Sequence, residues 1–224
     1  MIPGIVASAI NPPIPSVSYV GGAGNGTTWF GNGTNLSIDP SDNGGISGDF
    51  AVVSFMRDHT DGTDGWLSPS LGWIVGPRAN DSARRCESFF RLLDGTANDI
   101  FSTIYTGGND TSYWSGVFRG TDSLAPIATT TFLSAYTNVQ PPNVNVPRNN
   151  GLVLVIFGEY SDYPATPTTY GNEVKEWSSN PIRWGANMAV FYEQNLSVNP
   201  SYVANIGGWG AWNAWLVLSL QPPA

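Results

Sequence analysis

The stretch GDFAVVSFMRDHTDGTDGW, residues 48–66, decides the fold of this chain. It opens with an apolar run rich in Val and Phe, which is typical of a β-strand. Two Asp-Gly dipeptides, which favour turns, follow the run. The pattern predicts a strand over Asp49–Arg57, a turn-rich loop over Asp58–Gly65, and a return of the chain to the core at Trp66.

The same stretch raises the question of a metal or catalytic site, because it carries the chain's only histidine, His59, among aspartates. Asp58, Asp61 and Asp64 are weak candidates for metal ligands, since they are spaced by three residues and no glutamate follows. An EF-type calcium loop instead uses alternate positions and a final bidentate glutamate. One histidine with one cysteine does not make a catalytic triad or a zinc site. Among the other carboxylates, Glu159 is the best candidate for a catalytic role, and its alternative role is an ion pair with an arginine. The sequence therefore predicts no catalytic residue, no cofactor and no enzyme activity.

Short apolar runs recur along the whole chain between Gly, Pro, Asn and Asp residues, and they predict a protein made of strands. The run GLVLVIFGEY, residues 151–160, is apolar on both faces and predicts a central strand; only GNEVKEWSS, residues 171–179, favours a helix of a turn or two. The predicted strands are Ser16–Val20, Thr34–Ile38, Phe50–Arg57, Ser88–Leu93, Ile100–Tyr105, Tyr113–Arg119, Phe132–Thr137, Leu152–Tyr160, Ala186–Glu193 and Ala211–Leu220.

This pattern indicates an all-β fold, a single two-layer antiparallel β-sandwich that is jelly-roll-like. No fixed-period repeat occurs, and no change of composition divides the chain. We therefore expect an extended N-terminal arm over residues 1–15 and one β-sandwich domain over residues 16–224.

Composition excludes several classes of partner. The 224 residues carry a net charge of −8 with a single lysine, and such a surface repels phosphate backbones, so nucleic acid is not expected as a partner. No apolar run reaches the length of a membrane span, and the N-terminus lacks the basic region of a signal peptide. The single cysteine, Cys86, has no partner for an internal disulfide and is expected in the core.

The first 15 residues are apolar, uncharged and interrupted by four prolines, which favour an extended path. Such an arm needs a surface to cover, either on a neighbouring subunit or on its own domain. We expect the first arrangement. The predicted partner interface consists of Ile2, Pro3, Ile5, Val6, Ile10, Pro12, Pro13 and Ile14.

Tryptophans raise the alternative of glycan binding, because exposed indole rings can stack on sugars. Tryptophan is more often buried, so any single ring is more readily a core residue. The candidates are Trp29, Trp73, Trp114, Trp177, Trp184, Trp209 and Trp212.

The order of turn motifs resembles a group of β-sandwich modules found in structural proteins of tailed bacteriophages. The resemblance covers residues 16–220. The motifs that carry it are Gly48-Asp49, Gly65-Trp66, Phe89-Phe90, Asp94-Gly95, Arg119-Gly120-Thr121-Asp122 and Pro126-Ile127.

This resemblance implies a virion protein made in the host cytoplasm and placed on the capsid surface. Its expected role is that of a decoration or cement protein, which binds between capsomers and stabilises the head. Its expected partners are the major capsid protein and further copies of itself in a homotrimer. The alternative is a receptor- or glycan-binding module of a tail tip or fibre. The shared motifs are turns and strand starts, so the resemblance carries over no active site.

Overall fold

The computed structural model describes residues 15–31, 33–59, 65–80, 84–105, 109–135, 140–161, 168–169, 171–178, 185–204, 206–207 and 212–224. Across these ranges the chain consists of strands, turns and short 3-10 helices, which confirms the predicted all-β class. No helical segment within these ranges could cross a lipid bilayer. The strands are β1 Ser18–Phe30, β2 Asn35–Ile38, β3 Phe50–His59, β4 Ile74–Asn80, β5 Arg84–Leu92, β6 Phe101–Ile104, β7 Asn109–Arg119, β8 Ile127–Ala135, β9 Val144–Val146, β10 Gly151–Ser161, β11 Thr168–Thr169, β12 Val174–Ser178, β13 Gly185–Leu196, β14 Asn199–Tyr202, β15 Ile206–Gly207 and β16 Trp212–Leu220.

Two five-stranded antiparallel sheets pack face to face and confirm the predicted β-sandwich. The first sheet has the order β1-β7-β3-β5-β4, and the second has the order β12-β13-β10-β16-β8. Two-stranded ribbons accompany them: β2 with β6 (the first ribbon), β9 with β14 (the second ribbon), and β11 with β15. Each five-stranded sheet thus comes from one half of the chain.

The two halves repeat the same connectivity, although the sequence shows no repeat. In the first half β1 pairs with β7, β2 with β6 and β3 with β5, and β4 extends the sheet beyond β5. In the second half β8 pairs with β16, β9 with β14 and β10 with β13, and β12 extends the sheet beyond β13. This nested pairing is jelly-roll-like, as predicted, and it occurs twice.

The stacking of the two sheets corresponds to an approximate two-fold axis that runs parallel to the strands. Strands β1, β7, β3 and β4 lie against β12, β13, β10 and β8 respectively, so β3 faces its own counterpart, β10. Met56 and Gly158 occupy equivalent positions in the two halves. Each lies six residues after the first member of an equivalent strand pair, which is Phe50–Phe118 in the first sheet and Leu152–Leu220 in the second. These two residues meet across the interface, where a Cβ atom on Gly158 would lie 3.0 Å from Met56 Sδ.

Three apolar clusters explain why the central strands are apolar on both faces. Val52 and Met56 of β3 point into the cluster between the two sheets, while Val53 and Phe55 point towards the first ribbon. The second sheet has the same arrangement beneath the second ribbon. Because both faces of β3 and β10 are covered, their sequences read as continuous hydrophobic runs rather than alternating ones.

The prediction was wrong for the segment GNEVKEWSS and for the end of β3. The segment predicted as helical forms the edge strand β12, because backbone pairing with β13 outweighs a weak local preference for helix. Strand β3 continues through Asp58 to His59, so Asp58 lies in the sheet rather than in the loop. Both errors come from tertiary pairing, which a short local pattern does not reveal.

Candidate functional site

The predicted metal loop is only partly within the described residues. Asp58 is 8% exposed and lies on β3 directly opposite Arg84 of β5. Asp61 and Asp64 lie outside the described residues. Among the residues the structure does describe, no group of three or more His, Cys, Asp or Glu side chains is placed to hold a metal ion.

A buried ionic cluster lies next to Asp58, on the opposite face of β3. The Arg57 and Glu87 side chains are fully buried, and Arg57 Nη2 donates to Glu87 Oε1. Glu87 Oε2 accepts a hydrogen bond of 3.0 Å from the Leu67 backbone N–H, and Arg78 Nε lies 3.4 Å from it. Burial raises the pKa of Glu87, while Arg57, Arg78 and the Leu67 amide oppose that rise. Sequence reasoning missed this cluster, because its members come from three separate strands and a loop.

The cluster holds residues 65–67 in place, where the chain returns from the loop to the sandwich. Arg57 Nη2 donates to the Gly65 carbonyl at 3.1 Å, and the Trp66 ring lies between the guanidinium groups of Arg78 and Arg85, at 5.2 and 5.1 Å. Leu67, not Trp66 as predicted, is the residue that enters the core. The Arg57–Glu87 pair is sealed from solvent, and its role is structural.

The tryptophans divide into buried and exposed groups. Trp73, Trp114 and Trp212 are buried, so they are core residues and not sugar platforms. Trp29 on the edge strand β1 is 59% exposed. Trp184 and Trp209 lie outside the described residues, as does the side chain of Trp177.

Four of the six motifs lie at one end of the sandwich, where β3 begins and β7 ends: Gly48-Asp49, Asp94-Gly95, Arg119-Gly120-Thr121-Asp122 and Pro126-Ile127. Asp49 is buried and accepts two hydrogen bonds from Arg119, with distances of 2.9 and 2.7 Å. Asp122 forms a similar ion pair with Arg148, at 2.8 Å. Each pair joins segments far apart in the sequence, so these residues brace the end of the sandwich.

The N-terminal arm leaves from this braced end, which we call the arm end. The Val17 N–H donates to the Asn150 carbonyl at 3.0 Å, and Asn150 Nδ2 donates to the Pro15 carbonyl at 3.4 Å. Residues 1–14, which contain the whole predicted partner interface, lie outside the described residues. The place where the arm begins is therefore fixed against β10 of the second sheet.

An open groove of about 390 Å³ lies beside this point. Its apolar lining is made of Pro15, Pro147, Val198, Pro222 and Pro223. Arg148 also lines it and donates a hydrogen bond of 2.7 Å to the Pro222 carbonyl, which holds the C-terminal segment in place. Leu124, on a nearby turn of the same end, is 94% exposed. The arm end thus combines a braced frame with exposed apolar surface.

Comparison with protein families, with curated proteins and with solved structures finds no match to this chain. The function is therefore argued from the sequence pattern and the geometry.

Proposed function

We propose that this protein is a structural component of a bacteriophage virion, a decoration or cement protein that binds between capsomers on the capsid surface. The observation that carries the proposal is the arm end. There, an apolar, proline-rich segment leaves a braced surface beside an open groove lined by prolines and Val198. Four of the six motifs that resemble those of phage modules lie at the same end of the molecule.

The architecture suits a mechanical role. Both faces of the central strands are covered, and ion pairs such as Arg119–Asp49 fix the turns, so the body holds its shape while the arm adds contact area. Each Å² of apolar surface that the arm buries on a partner contributes about 25 cal/mol before the cost of association. Because few charges are present, such binding is expected to depend weakly on salt.

The test is co-sedimentation with capsids of the encoding phage that lack this protein. We expect the full chain to pellet with the capsids and a chain starting at Pro15 to remain in the supernatant. A variant in which Ile5, Val6 and Ile10 are replaced by Ser keeps the arm's length and removes its apolar area, so it should also fail to bind. Both variants should keep the far-UV circular dichroism spectrum of the folded sandwich. Equal binding by the truncated chain would reject the proposed role of the arm.

A second candidate function, glycan or receptor binding at a tail tip or fibre, is favoured by one observation, the exposed ring of Trp29. It predicts that the isolated protein binds a glycan array and that Trp29→Ala abolishes the signal. Trp66→Ala is the matched control, since that ring is held between two arginines.

A further inference from the structure

The two sheets have four edge strands, and three of them are blocked against further pairing. Strand β4 carries Pro77 and Arg78, and β12 carries Lys175 and Glu176. Strand β1 is interrupted by two register shifts, one of them between Asn25 and Thr28. Proline, charge and bulges are the devices by which proteins keep sheet edges from accepting another strand.

The fourth edge strand, β8, has neither proline nor charge, and its one register shift lies at its start. Its sequence, IATTTFLSA, contains no charged residue and no proline. Its pairing with β16 shifts between Ile127 and Thr129 and then runs without a shift to Ala135, and in the described part of the chain β8 pairs with β16 alone. An uncharged edge of this kind is a site for strand addition.

The chain itself contains a segment suited to that edge. Gly4–Asn11, with the sequence GIVASAIN, is uncharged, lies between Pro3 and Pro12, and includes three β-branched residues. At ~3.3 Å per residue, its eight residues extend over roughly 26 Å, against roughly 23 Å for the seven residues Thr129–Ala135. The donor and the edge therefore match in length and in chemistry.

The composition of the arm favours donation to another molecule. Pro15, where the arm begins, lines a groove with Pro147 and Val198, which belong to turns between the second sheet and the second ribbon. Pro12, Pro13 and Pro15 favour an extended path, which suits a segment that reaches a neighbouring molecule.

We propose that Gly4–Asn11 of one copy adds as a sixth strand to the β8 edge of the second sheet in a neighbouring copy. This inference deepens the proposed function and rests on it, since it names the partner of the arm. We take the exchange to be head-to-tail, with each copy donating one arm and receiving another around a closed ring, because a head-to-tail contact forms a finite assembly only where the rotation closes. The homotrimer expected from the sequence is the ring with three copies.

The experiment is site-specific cross-linking between two co-expressed full-length chains of different tag size. One chain carries Ser8→Cys, and the other carries Thr130→Cys or Thr131→Cys, so that both faces of β8 are sampled. The native thiol does not interfere, because Cys86 is buried and its pKa is raised to about 12. With a short bis-maleimide, we expect a product with the summed mass of the two chains. Lys175→Cys on the charged edge strand β12 is the control and should give only background.

The inference would be overturned if neither β8 position gave a product, or if Lys175→Cys gave an equal yield. It would also be overturned if the double variant Ser8→Cys/Thr131→Cys formed its cross-link within one chain. Capsid co-sedimentation tests the proposed function separately. Arm-dependent capsid binding without the cross-link would reject only the inference. The cross-link without capsid binding would reject only the proposed function.

Discussion

At the scale of single residues, the Arg57–Glu87 pair is the most consequential contact in the described structure. Both side chains are fully buried, so each charge depends on the other for compensation. A buried pair contributes little net stability compared with an apolar replacement, but removing one partner leaves an uncompensated charge in the core. The cluster therefore fixes the path of the chain at Leu67 more than it stabilises the fold.

We predict that Glu87→Gln lowers the free energy of unfolding by about 3–5 kcal/mol, because Arg57 remains buried without its carboxylate. Arg57→Met alone should also be destabilising, and the double variant should lose less than the sum of the two. Urea denaturation followed by tryptophan fluorescence measures all three. Asp94→Asn is the control and should change less, because the Asp94 side chain is 54% exposed and its partner Arg91 keeps a second carboxylate, Asp99. Strictly additive losses would show that the two side chains act independently.

A second residue-scale prediction concerns alkaline pH. The Tyr202 hydroxyl oxygen lies 3.0 Å from Glu173 Oε1 and 2.5 Å from Glu193 Oε2, so its single proton is donated to one of the two carboxylates at a time. Burial raises the pKa of Tyr202 above its usual value of about 10, and the two carboxylates raise it further. Above about pH 10 the unfolded chain loses the tyrosine proton, while the folded chain keeps it. Unfolding therefore becomes more favourable as pH rises.

We expect the urea midpoint to be constant from about pH 7 to pH 9 and to fall above about pH 10. Tyr202→Phe should be less stable at neutral pH, because the two carboxylates lose their shared hydroxyl donor, but its stability should fall less steeply at alkaline pH. Midpoints measured across this range in both proteins test the assignment. An unchanged slope in the variant would show that other groups cause the alkaline loss.

The sequence revealed residues of this kind only in part. Asp49 and Arg119 were recognised as turn motifs, but their pairing joins positions 70 residues apart and required the fold. The sequence gave no sign that Glu87 is part of an ionic cluster, because its partners lie on β3, β4 and the returning loop. Charge compensation in a core depends on tertiary neighbours, which local patterns do not specify.

At the scale of elements, β1 shows why strand bounds were harder to predict than strand existence. Only Ser16–Val20 was predicted, because the glycines that follow favour turns. In the structure these glycines lie within the strand and permit close packing: a Cβ atom on Gly21 would lie 2.8 Å from the Asn43 carbonyl oxygen. Glycine in a strand can mark a close approach rather than a break.

We predict that Gly22→Ala destabilises the protein by about 1–3 kcal/mol through overpacking. The added methyl group would lie 2.8 Å from the Ser115 carbonyl oxygen and 2.9 Å from Trp114 Cζ2, a fully buried ring. The matched control is Gly31→Ala, where the nearest atom is 4.0 Å away. Thermal unfolding of both variants is the measurement. A Gly22→Ala protein as stable as the control would mean that β1 tolerates side chains on this face.

At the scale of the whole molecule, the chain consists of two topologically equivalent halves without recognisable sequence repetition. Hydrophobic patterning predicted the sandwich, since it reports which strands are covered on both faces. It did not predict the duplication, because equivalent positions carry unrelated residues, as with Met56 and Gly158. The connectivity depends on which strands pair with each other over long distances in the sequence. A single sequence does not show those pairings directly.

The duplication leads to a prediction about cooperativity. The largest apolar cluster joins the first sheet to the second, so each half alone would expose the face that the other half covers. Backbone hydrogen bonds also tie the halves together at the arm end, for example from Val17 to Asn150 and from Asp122 to Gln221. The two halves should therefore unfold in one transition.

Dividing the chain after Leu124, in the exposed turn between β7 and β8, tests this directly. We expect fragments 1–124 and 125–224 to be insoluble or unfolded when expressed singly, because a large apolar sheet face has no cover. Co-expressed, they should assemble into a soluble 1:1 complex that melts in a single transition, below that of the intact chain. The lower melting temperature follows because the fragments must also pay the entropy of association. If either fragment were folded and monomeric alone, the interface between the sheets would be dispensable, and the molecule would be better described as two independent domains.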